Sequence, residues 1–405
     1  MNPTTPAATR TAEIAARLAP EMTALRRRLH ADPELELQNP RTQRAILDQL
    51  AGLELEITTG SGLTSVVAVL RGGKRTESSP VVLLRGDMDG LPVAERTGLD
   101  FASSNGLMHA CGHDLHVAGL VGAVKILHEL RAELAGDVVF MFQPGEEGPG
   151  GAAPMIAEGL LTAAGRRVDA AYALHVGAAG HPKGTWSGRP GPLMSAADEV
   201  YLTVVGRGGH GSQPFLAKDP VPVACEIVLA LQTMVTRRFD IFDPVVVTVG
   251  KISAGTKDNI IGDTAVIEAT VRTFSTENRE QIQREIVQLA NGICGAHGLT
   301  AEIDYRPGYP VTVNDPDEYA LMVATVTEMF GAERFFEMPF PEAGSEDFSF
   351  VANEVPSSYL FLSAAPGDEP KSAPDNHSAL ATFDDSVLAD GAALLAEVAL
   401  RRLNR

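Results

Sequence analysis

Four groups of polar residues could carry chemistry, and three of them directly follow runs of apolar residues. They are Asp87-Met88-Asp89, Cys111-Gly112-His113-Asp114, Glu146-Glu147 and His175. Short apolar runs bounded by turn residues indicate buried strands. Because ligands bind beyond the carboxyl ends of the strands in open α/β sheets, these positions predict one shared site at one edge of a sheet.

The cluster around Cys111 places a thiol and the imidazole of His113 one residue apart across a glycine, so both can converge on one point. Taken alone, such a cysteine is more often a small buried apolar residue, and His175 alone is more often a hydrogen-bonded structural residue. Asp114 is predicted to cap the helix that follows, while His116 either lines the site or packs. The agreement in position is therefore stronger evidence than any single residue.

Two adjacent carboxylates, Glu146 and Glu147, lie in a turn flanked by proline and glycine. An ordinary pair of this kind belongs to a solvated loop, because burial is costly unless a cation holds the charges. Here the pair follows the apolar run Val138 to Phe142 and precedes Gly148 to Gly151, whose backbone can approach a ligand closely. One glutamate can then bind metal while its neighbour handles protons.

A set of thiolate, imidazole and carboxylate groups suits Zn²⁺ and tolerates Mn²⁺, Co²⁺ or Ni²⁺. The candidate ligands are too numerous for one four-coordinate ion. This favours two divalent ions about 3.5–4 Å apart that share a nucleophilic water.

The elements that would position these groups are apolar strands that alternate with helices, a pattern typical of a sheet covered on both faces. The predicted strands are Val66 to Leu70, Val81 to Leu84, Val138 to Phe142 and Ala170 to Leu174. After Pro192 the order β-α-β-β-α-β indicates a ferredoxin-like α+β domain. We predict a two-domain α/β protein: a catalytic sheet domain in two parts, 1–192 and 306–405, with the ferredoxin-like domain, 193–305, inserted between them.

Composition restricts the partners. The 405 residues are 44% hydrophobic, enough for more than one core, and the net charge of −19 opposes binding to nucleic acid or to an anionic membrane. The three cysteines form no CxxC pair, which favours a reducing compartment. With no signal peptide or 18-residue apolar stretch in evidence, we predict a cytoplasmic protein.

Several motifs occur in order along almost the whole chain. They are Arg27-Arg28-Leu29-His30, Arg85 to Pro92 (RGDMDGLP), Met108 to Asp114 (MHACGHD), Gln143 to Glu147 (QPGEE), Ala173-Leu174-His175, Gly209 to Ser212 (GHGS), Gly344 to Phe348 (GSEDF) and Asn376-His377-Ser378. In these motifs the sequence resembles the M20 family of metallopeptidases and amidohydrolases, in particular its aminoacylase, hippurate hydrolase and auxin-conjugate hydrolase branch.

The resemblance implies five metal ligands, of which Cys111 would bridge the two ions, and it implies Glu146 as the general base. The five are Cys111, His113, Glu147, His175 and His377. The last is reached only through the resemblance. We expect Asp89 to orient a ligating histidine.

For the inserted domain, the resemblance implies a role in dimerisation or as a lid, and hence a homodimer. His210 matches a histidine that helps to stabilise the tetrahedral oxyanion, often across the dimer interface. Asn259 matches a residue near the substrate's carboxylate or oxyanion. Arg272 is either a partner for a substrate carboxylate or an ordinary surface charge on a strand.

The sequence thus predicts a metal-dependent amidohydrolase that cleaves N-acyl amino acids or related small amides. Glu146 would take a proton from the attacking water and return it to the leaving amine. The alternatives are a dipeptidase or N-deacetylase of the same family, and a non-catalytic binding protein with a vestigial site. Because every expected ligand and the base are present, the non-catalytic alternative is the weakest.

Overall fold

The computed structural model describes residues 7–405, with side chains from Arg10 onward. The chain forms two compact units. The first extends to Gly191 and resumes over Val313–Phe340 and Phe350–Arg405, and the second comprises Pro192–Thr312 and Pro341–Ser349. These units differ from the ranges we predicted in that residues 192, 306–312 and 341–349 fall in the second unit. The assignment of catalytic and inserted roles to them stays a prediction.

The helices and strands of the described residues are numbered in chain order. The helices are α1 (Ala7–His30), α2 (Pro40–Leu50), α3 (His113–Glu129), α4 (Ala152–Ala157), α5 (Pro220–Arg238), α6 (Thr276–Ala296), α7 (Pro316–Phe330), α8 (Ser349–Ala352) and α9 (Leu388–Leu403). The strands are β1 (Glu56–Thr59), β2 (Val66–Leu70), β3 (Val81–Asp87), β4 (Asp137–Gln143), β5 (Ala170–Gly177), β6 (Trp186–Gly188), β7 (Gly191–Met194), β8 (Ala196–Val205), β9 (Gly209–His210), β10 (Val246–Ala254), β11 (Ile260–Ile261), β12 (Thr264–Thr273), β13 (Thr300–Pro307), β14 (Thr312–Asn314), β15 (Phe335–Glu337) and β16 (Ser357–Ser363).

The first unit is built on an eight-stranded mixed sheet in the order β1-β2-β4-β3-β5-β16-β6-β15. Its central strands β4, β3, β5 and β16 are parallel to one another. Every residue of β3 and β4 is buried, as expected for strands covered on both faces. Helices α3 and α9 pack against β3, and α1 packs on both of these helices. The predicted α/β sheet is therefore confirmed.

The carboxyl ends of three neighbouring parallel strands carry the polar clusters. Strand β3 ends at Asp87, β4 ends at Gln143 just before the two glutamates, and β5 contains His175 near its end. Since parallel strands end at the same edge of a sheet, these clusters are brought together there.

Helix α3 begins differently from the prediction. It starts at His113 after Gly112, whose φ of 82° is left-handed, and no side chain caps it. The prediction that Asp114 caps this helix is wrong. The Asp114 carboxylate is fully buried and lies 2.8 Å from His30 Nδ1 and 2.8 Å from Arg26 Nε. Burial costs a carboxylate its hydration unless charged or hydrogen-bonding partners replace it, and α1 supplies Arg26 and His30.

The second unit contains a four-stranded antiparallel sheet in the order β10-β12-β8-β13. Helices α5 and α6 pack against each other and against this sheet. Alternate residues of β8 are buried, because one face of the strand meets the helices. The chain order β8, α5, β10, β12, α6, β13 is the ferredoxin-like order we predicted. Within residues 7–405, none of the helices combines the length and apolar character that crossing a membrane requires.

Candidate metal centre

The Cys111 thiol lies between two histidines from distant parts of the first unit. Its Sγ is 3.3 Å from His175 Nε2 and 3.3 Å from His377 Nε2. Cys111 is buried in the turn before α3. Burial raises the pKa of this thiol to about 12, so a nearby cation would be needed to hold it as a thiolate.

His113, the first residue of α3, is fully buried, and neither ring nitrogen has a hydrogen-bond partner among the described residues. Carboxylate oxygens of Asp87 and Asp89 lie 3.5 Å from its Nε2 and Nδ1, respectively. Oxygens of Glu147 and Glu146 lie 3.9 Å and 4.0 Å from Nε2. Burial opposes a positive charge here, yet the carboxylates, with Asp87 foremost, raise the pKa of His113 well above its ordinary value. This pocket favours a cation.

The two glutamates follow β4 in a turn held by Asp89. The buried Asp89 carboxylate accepts the backbone N–H groups of Glu146 and Glu147, each at 3.0 Å. Glu147 Oε1 lies 3.1 Å from His377 Nε2. Burial would raise the pKa of Glu147, but His377 and then His113 outweigh it and lower the pKa to about 2. Asp89 thus fixes the glutamate turn, in addition to facing His113.

His175 presents one specific nitrogen to the centre. Its Nδ1–H donates to Val176 O at 2.8 Å, which leaves the Nε2 lone pair facing Cys111 Sγ. Burial, followed by the proximity of His116, lowers the pKa of His175 to about 3. The ring therefore stays neutral, which is the form that binds metals.

His116, whose role the sequence left open, has both ring nitrogens engaged. Its Nδ1 lies 2.5 Å from Asp87 Oδ1, and its Nε2 accepts the Val176 N–H at 2.9 Å. Asp87 Oδ2 also accepts a hydrogen bond from Arg85 Nη1 at 2.6 Å. His116 and Asp87 therefore position the end of β5. Sequence reasoning did not assign this role, although Asp87 stands in one of the four clusters.

The donor atoms fit divalent cations. Three sets of groups each bring their donor atoms within 4.8 Å of one another: Cys111 with His113 and His175; Cys111 with Glu147 and His377; and His113 with Glu146 and Glu147. The sets share Cys111, His113 and Glu147, an arrangement suited to two adjacent ions. The ring nitrogens of His113, buried and without a hydrogen-bond partner among the described residues, could bind a cation.

The other predicted site residues belong to the second unit. His210 lies on β9, which pairs with β11, and Asn259 O accepts the N–H of the neighbouring Gly211 at 2.9 Å. This pairing brings His210 and Asn259 close to each other. Both residues are exposed. Arg272 is half-buried on β12, opposite Val246 of the edge strand.

Comparisons with known proteins identify the family to which this chain belongs. The sequence model of Peptidase family M20/M25/M40 matches residues 83–401. IAA-amino acid hydrolase ILR1-like 2 of Arabidopsis thaliana is 36% identical over 387 residues, which cover 94% of this chain and 85% of that protein. N-acetyldiaminopimelate deacetylase of Geobacillus sp. (strain WCH70) is 36% identical over 343 residues, which cover 84% and 88% of the two chains.

Among solved structures, the Bacillus subtilis YXEP protein, described as a dinuclear metal binding peptidase from the M20 family, has a TM-score of 0.81 and 31% identity. The match covers 96% of this chain and 99% of that one. The predicted family resemblance is confirmed, as is the prediction of an enzyme that hydrolyses amide bonds. The chain belongs to peptidase family M20/M25/M40 and is an amidohydrolase of that family.

Proposed function

We propose that the enzyme cleaves the amide bond of N-acyl amino acids or related small amides, using two divalent ions. The observation that carries this proposal is the convergence of thiol, imidazole and carboxylate donors at one end of the parallel strands. The proposed ligands are Cys111, His113, Glu147, His175 and His377. The ligand chemistry suits zinc or manganese, and cobalt or nickel could replace them.

When bound, the ions would supply a water with a pKa lowered toward about 7 and would polarise the amide carbonyl. Glu146 is the proposed general base. Its carboxylate is buried next to the donors, with Oε2 at 4.0 Å from His113 Nε2, and the Asp89 carboxylate holds its backbone. Glu146 would take the proton of the attacking water and pass it to the leaving amine.

His210 is the proposed donor to the oxyanion of the tetrahedral intermediate. Its Nδ1 accepts the backbone N–H of Ser212 at 3.1 Å, so the neutral ring carries its proton on Nε2. An Nε2–H group exposed to solvent can donate to a developing negative charge. Asn259, adjacent to it, and Arg272 are proposed to bind the substrate's carboxylate or oxyanion.

Replacing Glu146 tests the mechanism. Glu146→Gln keeps the side-chain volume and removes the base, so turnover should fall by about 10²–10⁴-fold. Metal content, measured by elemental analysis, should stay at two ions per chain. Glu129→Gln, on the exposed surface, is the matched control and should keep full activity. A Glu146→Gln enzyme that keeps its activity would show that Glu146 is not the general base.

We further propose a homodimer formed through the second unit, with His210 acting in its partner's active site. Chains with His210→Ala and chains with Glu146→Gln, each inactive alone, would be co-expressed with different tags and purified as the mixed species. Partial recovery of activity is expected, because one of the two sites would be intact. No recovery in a verified mixed dimer contradicts action across the interface.

An N-deacetylase or a dipeptidase is the alternative, since one relative is described as a deacetylase and a similar structure as a peptidase. A panel of N-acyl amino acids, including hippurate, and of dipeptides, each assayed with Zn²⁺, Mn²⁺ and Co²⁺, separates these classes. An enzyme that prefers dipeptides would refute the primary proposal, and a chain inactive on all of them would support a vestigial site.

A cytoplasmic location is part of the proposal. The three cysteines are all free, and one of them is a proposed metal ligand that must stay reduced.

A further inference from the structure

We infer that Asn376 is a positioning residue whose side-chain amide joins the three segments that carry Cys111, His175 and His377. This inference rests on the proposed metal centre and names a group that would set its geometry without being a ligand. Asn376 is half-buried beside the centre.

The two ends of the Asn376 amide meet opposite kinds of partner. Its Oδ1 accepts the backbone N–H of Ala178 at 2.8 Å. Its Nδ2 donates to Val176 O at 3.1 Å and lies 3.3 Å from Cys111 O and 3.7 Å from Cys111 Sγ. The amide thus connects the end of β5 to the turn before α3.

Through Val176, this contact reaches the ring of His175. The carbonyl that accepts Asn376 Nδ2–H also accepts His175 Nδ1–H at 2.8 Å. Holding that carbonyl fixes the tautomer and the orientation of the ring, with Nε2 directed toward Cys111 Sγ. A partner that orients a metal-binding histidine in this way tunes metal affinity.

Asn376 also precedes a residue in an unfavourable backbone conformation. His377 has a φ of 69°, in the left-handed region that residues with a Cβ rarely adopt. Such a conformation persists only where the surroundings enforce it. The His377 N–H donates to Ala110 O at 2.9 Å. The side-chain hydrogen bonds of Asn376 to Ala178 and Val176 fix the chain just before His377. Together they hold His377 Nε2 against Cys111 Sγ and Glu147.

An amide provides an acceptor and a donor on one planar group, whereas an ionised carboxylate of the same size only accepts hydrogen bonds. Aspartate has nearly the same shape, but it would turn a carboxylate oxygen toward two carbonyls and the Cys111 sulfur. If Asn376 only filled space, the change to aspartate would be tolerated. The isosteric substitution therefore separates positioning from packing.

The test uses Asn376→Asp and Asn376→Ala in the full-length chain. Metal is removed with a chelator, and the affinity for Zn²⁺ and Co²⁺ is measured by competition with a chromogenic chelator. The sulfur-to-cobalt charge-transfer band reports on Cys111 directly. We expect both variants to bind metal about 10–100-fold more weakly and to show a weakened or shifted band.

Asn314→Asp is the matched control. Asn314 Oδ1 accepts the Tyr359 N–H at 2.7 Å, and its Nδ2 donates to Arg189 O and Tyr359 O, so it has the same pattern of partners, none of them a proposed ligand. Unfolding of the metal-free proteins, followed by fluorescence of the single tryptophan, Trp186, separates lost stability from lost affinity. The control should lose stability and keep its metal affinity.

Three results would overturn the inference. Metal binding by Asn376→Asp as tight as that of the unaltered enzyme overturns it and leaves the proposed function intact. A loss of affinity that only parallels lost stability, and that Asn314→Asp shares, overturns it as well. An unaltered enzyme that binds no divalent ion overturns the proposed metal centre and this inference with it.

Discussion

Replacing Gly112 with alanine should damage both the fold and the metal centre. Gly112 separates the proposed ligands Cys111 and His113 and has a φ of 82°. A Cβ added there would overlap the Val176 Cγ2 methyl group and lie 3.1 Å from Phe383 Cε1. The substitution therefore combines backbone strain with overpacking against a buried neighbour.

The two contributions can be sized separately. A left-handed conformation destabilises a residue with a Cβ by about 1–2 kcal/mol. Alanine also lowers the conformational entropy of the unfolded chain, which offsets about 0.4–1 kcal/mol of that loss. Overpacking in a closely packed site costs about 1–3 kcal/mol more. We expect Gly112→Ala to lower the free energy of unfolding of the first unit by about 2–4 kcal/mol.

Gly106→Ala isolates the backbone contribution. Gly106 has a φ of 85°, and a Cβ there would meet no atom within 4 Å. It should therefore lose only about 1 kcal/mol. Urea unfolding followed by fluorescence of Trp186, which is buried in the first unit, measures both variants. Metal affinity, measured in parallel, should fall only in Gly112→Ala. If the two variants have equal stability and equal metal affinity, the reasoning about this turn is refuted.

Two further predictions concern the buried charges behind the centre. Arg26→Met should lower the free energy of unfolding by about 3–5 kcal/mol, because it leaves the buried Asp114 carboxylate without its arginine partner. Arg17→Met, at an exposed ion pair, is the control and should lower it by less than about 1 kcal/mol. Similar losses for the two variants in urea unfolding would contradict this prediction. Burial opposes the charge on His30, but Asp114 and then Glu95 outweigh it and raise its pKa to about 9. Because the folded pKa exceeds the unfolded value of about 6.5, the stabilisation is complete below that pH and is lost as the pH rises through about 9; an unchanged pH profile of stability in His30→Gln would argue against this.

Much of the first unit follows from local sequence. The apolar runs over β3, β4 and β5 are long, uninterrupted and bounded by turn residues, and such runs form buried strands in any context that covers both faces. In the second unit, the alternation of polar and apolar residues along β8 likewise indicates a half-exposed strand. The ligand types also follow from the sequence, since thiol, imidazole and carboxylate chemistry belongs to the residues themselves.

Local sequence misjudged Asp114. Its position near the start of a helix favours a cap, and the competing partners, Arg26 and His30, lie more than eighty residues away along the chain. The observed start of α3 is set by the left-handed Gly112. A tertiary ion pair prevailed because full burial removes the hydration of the Asp114 carboxylate, and the buried Arg26 guanidinium at 2.8 Å offsets that loss.

The sequence by itself determined which elements form, which strand ends carry polar groups and which kinds of ligand the chain can offer, because these depend on residue type and on neighbours a few positions away. Only the tertiary structure decided which groups meet. His377 lies 266 residues from Cys111 along the chain, and β16 enters the sheet beside β5. Contacts across such separations depend on how the sheet orders its strands, which no local pattern encodes.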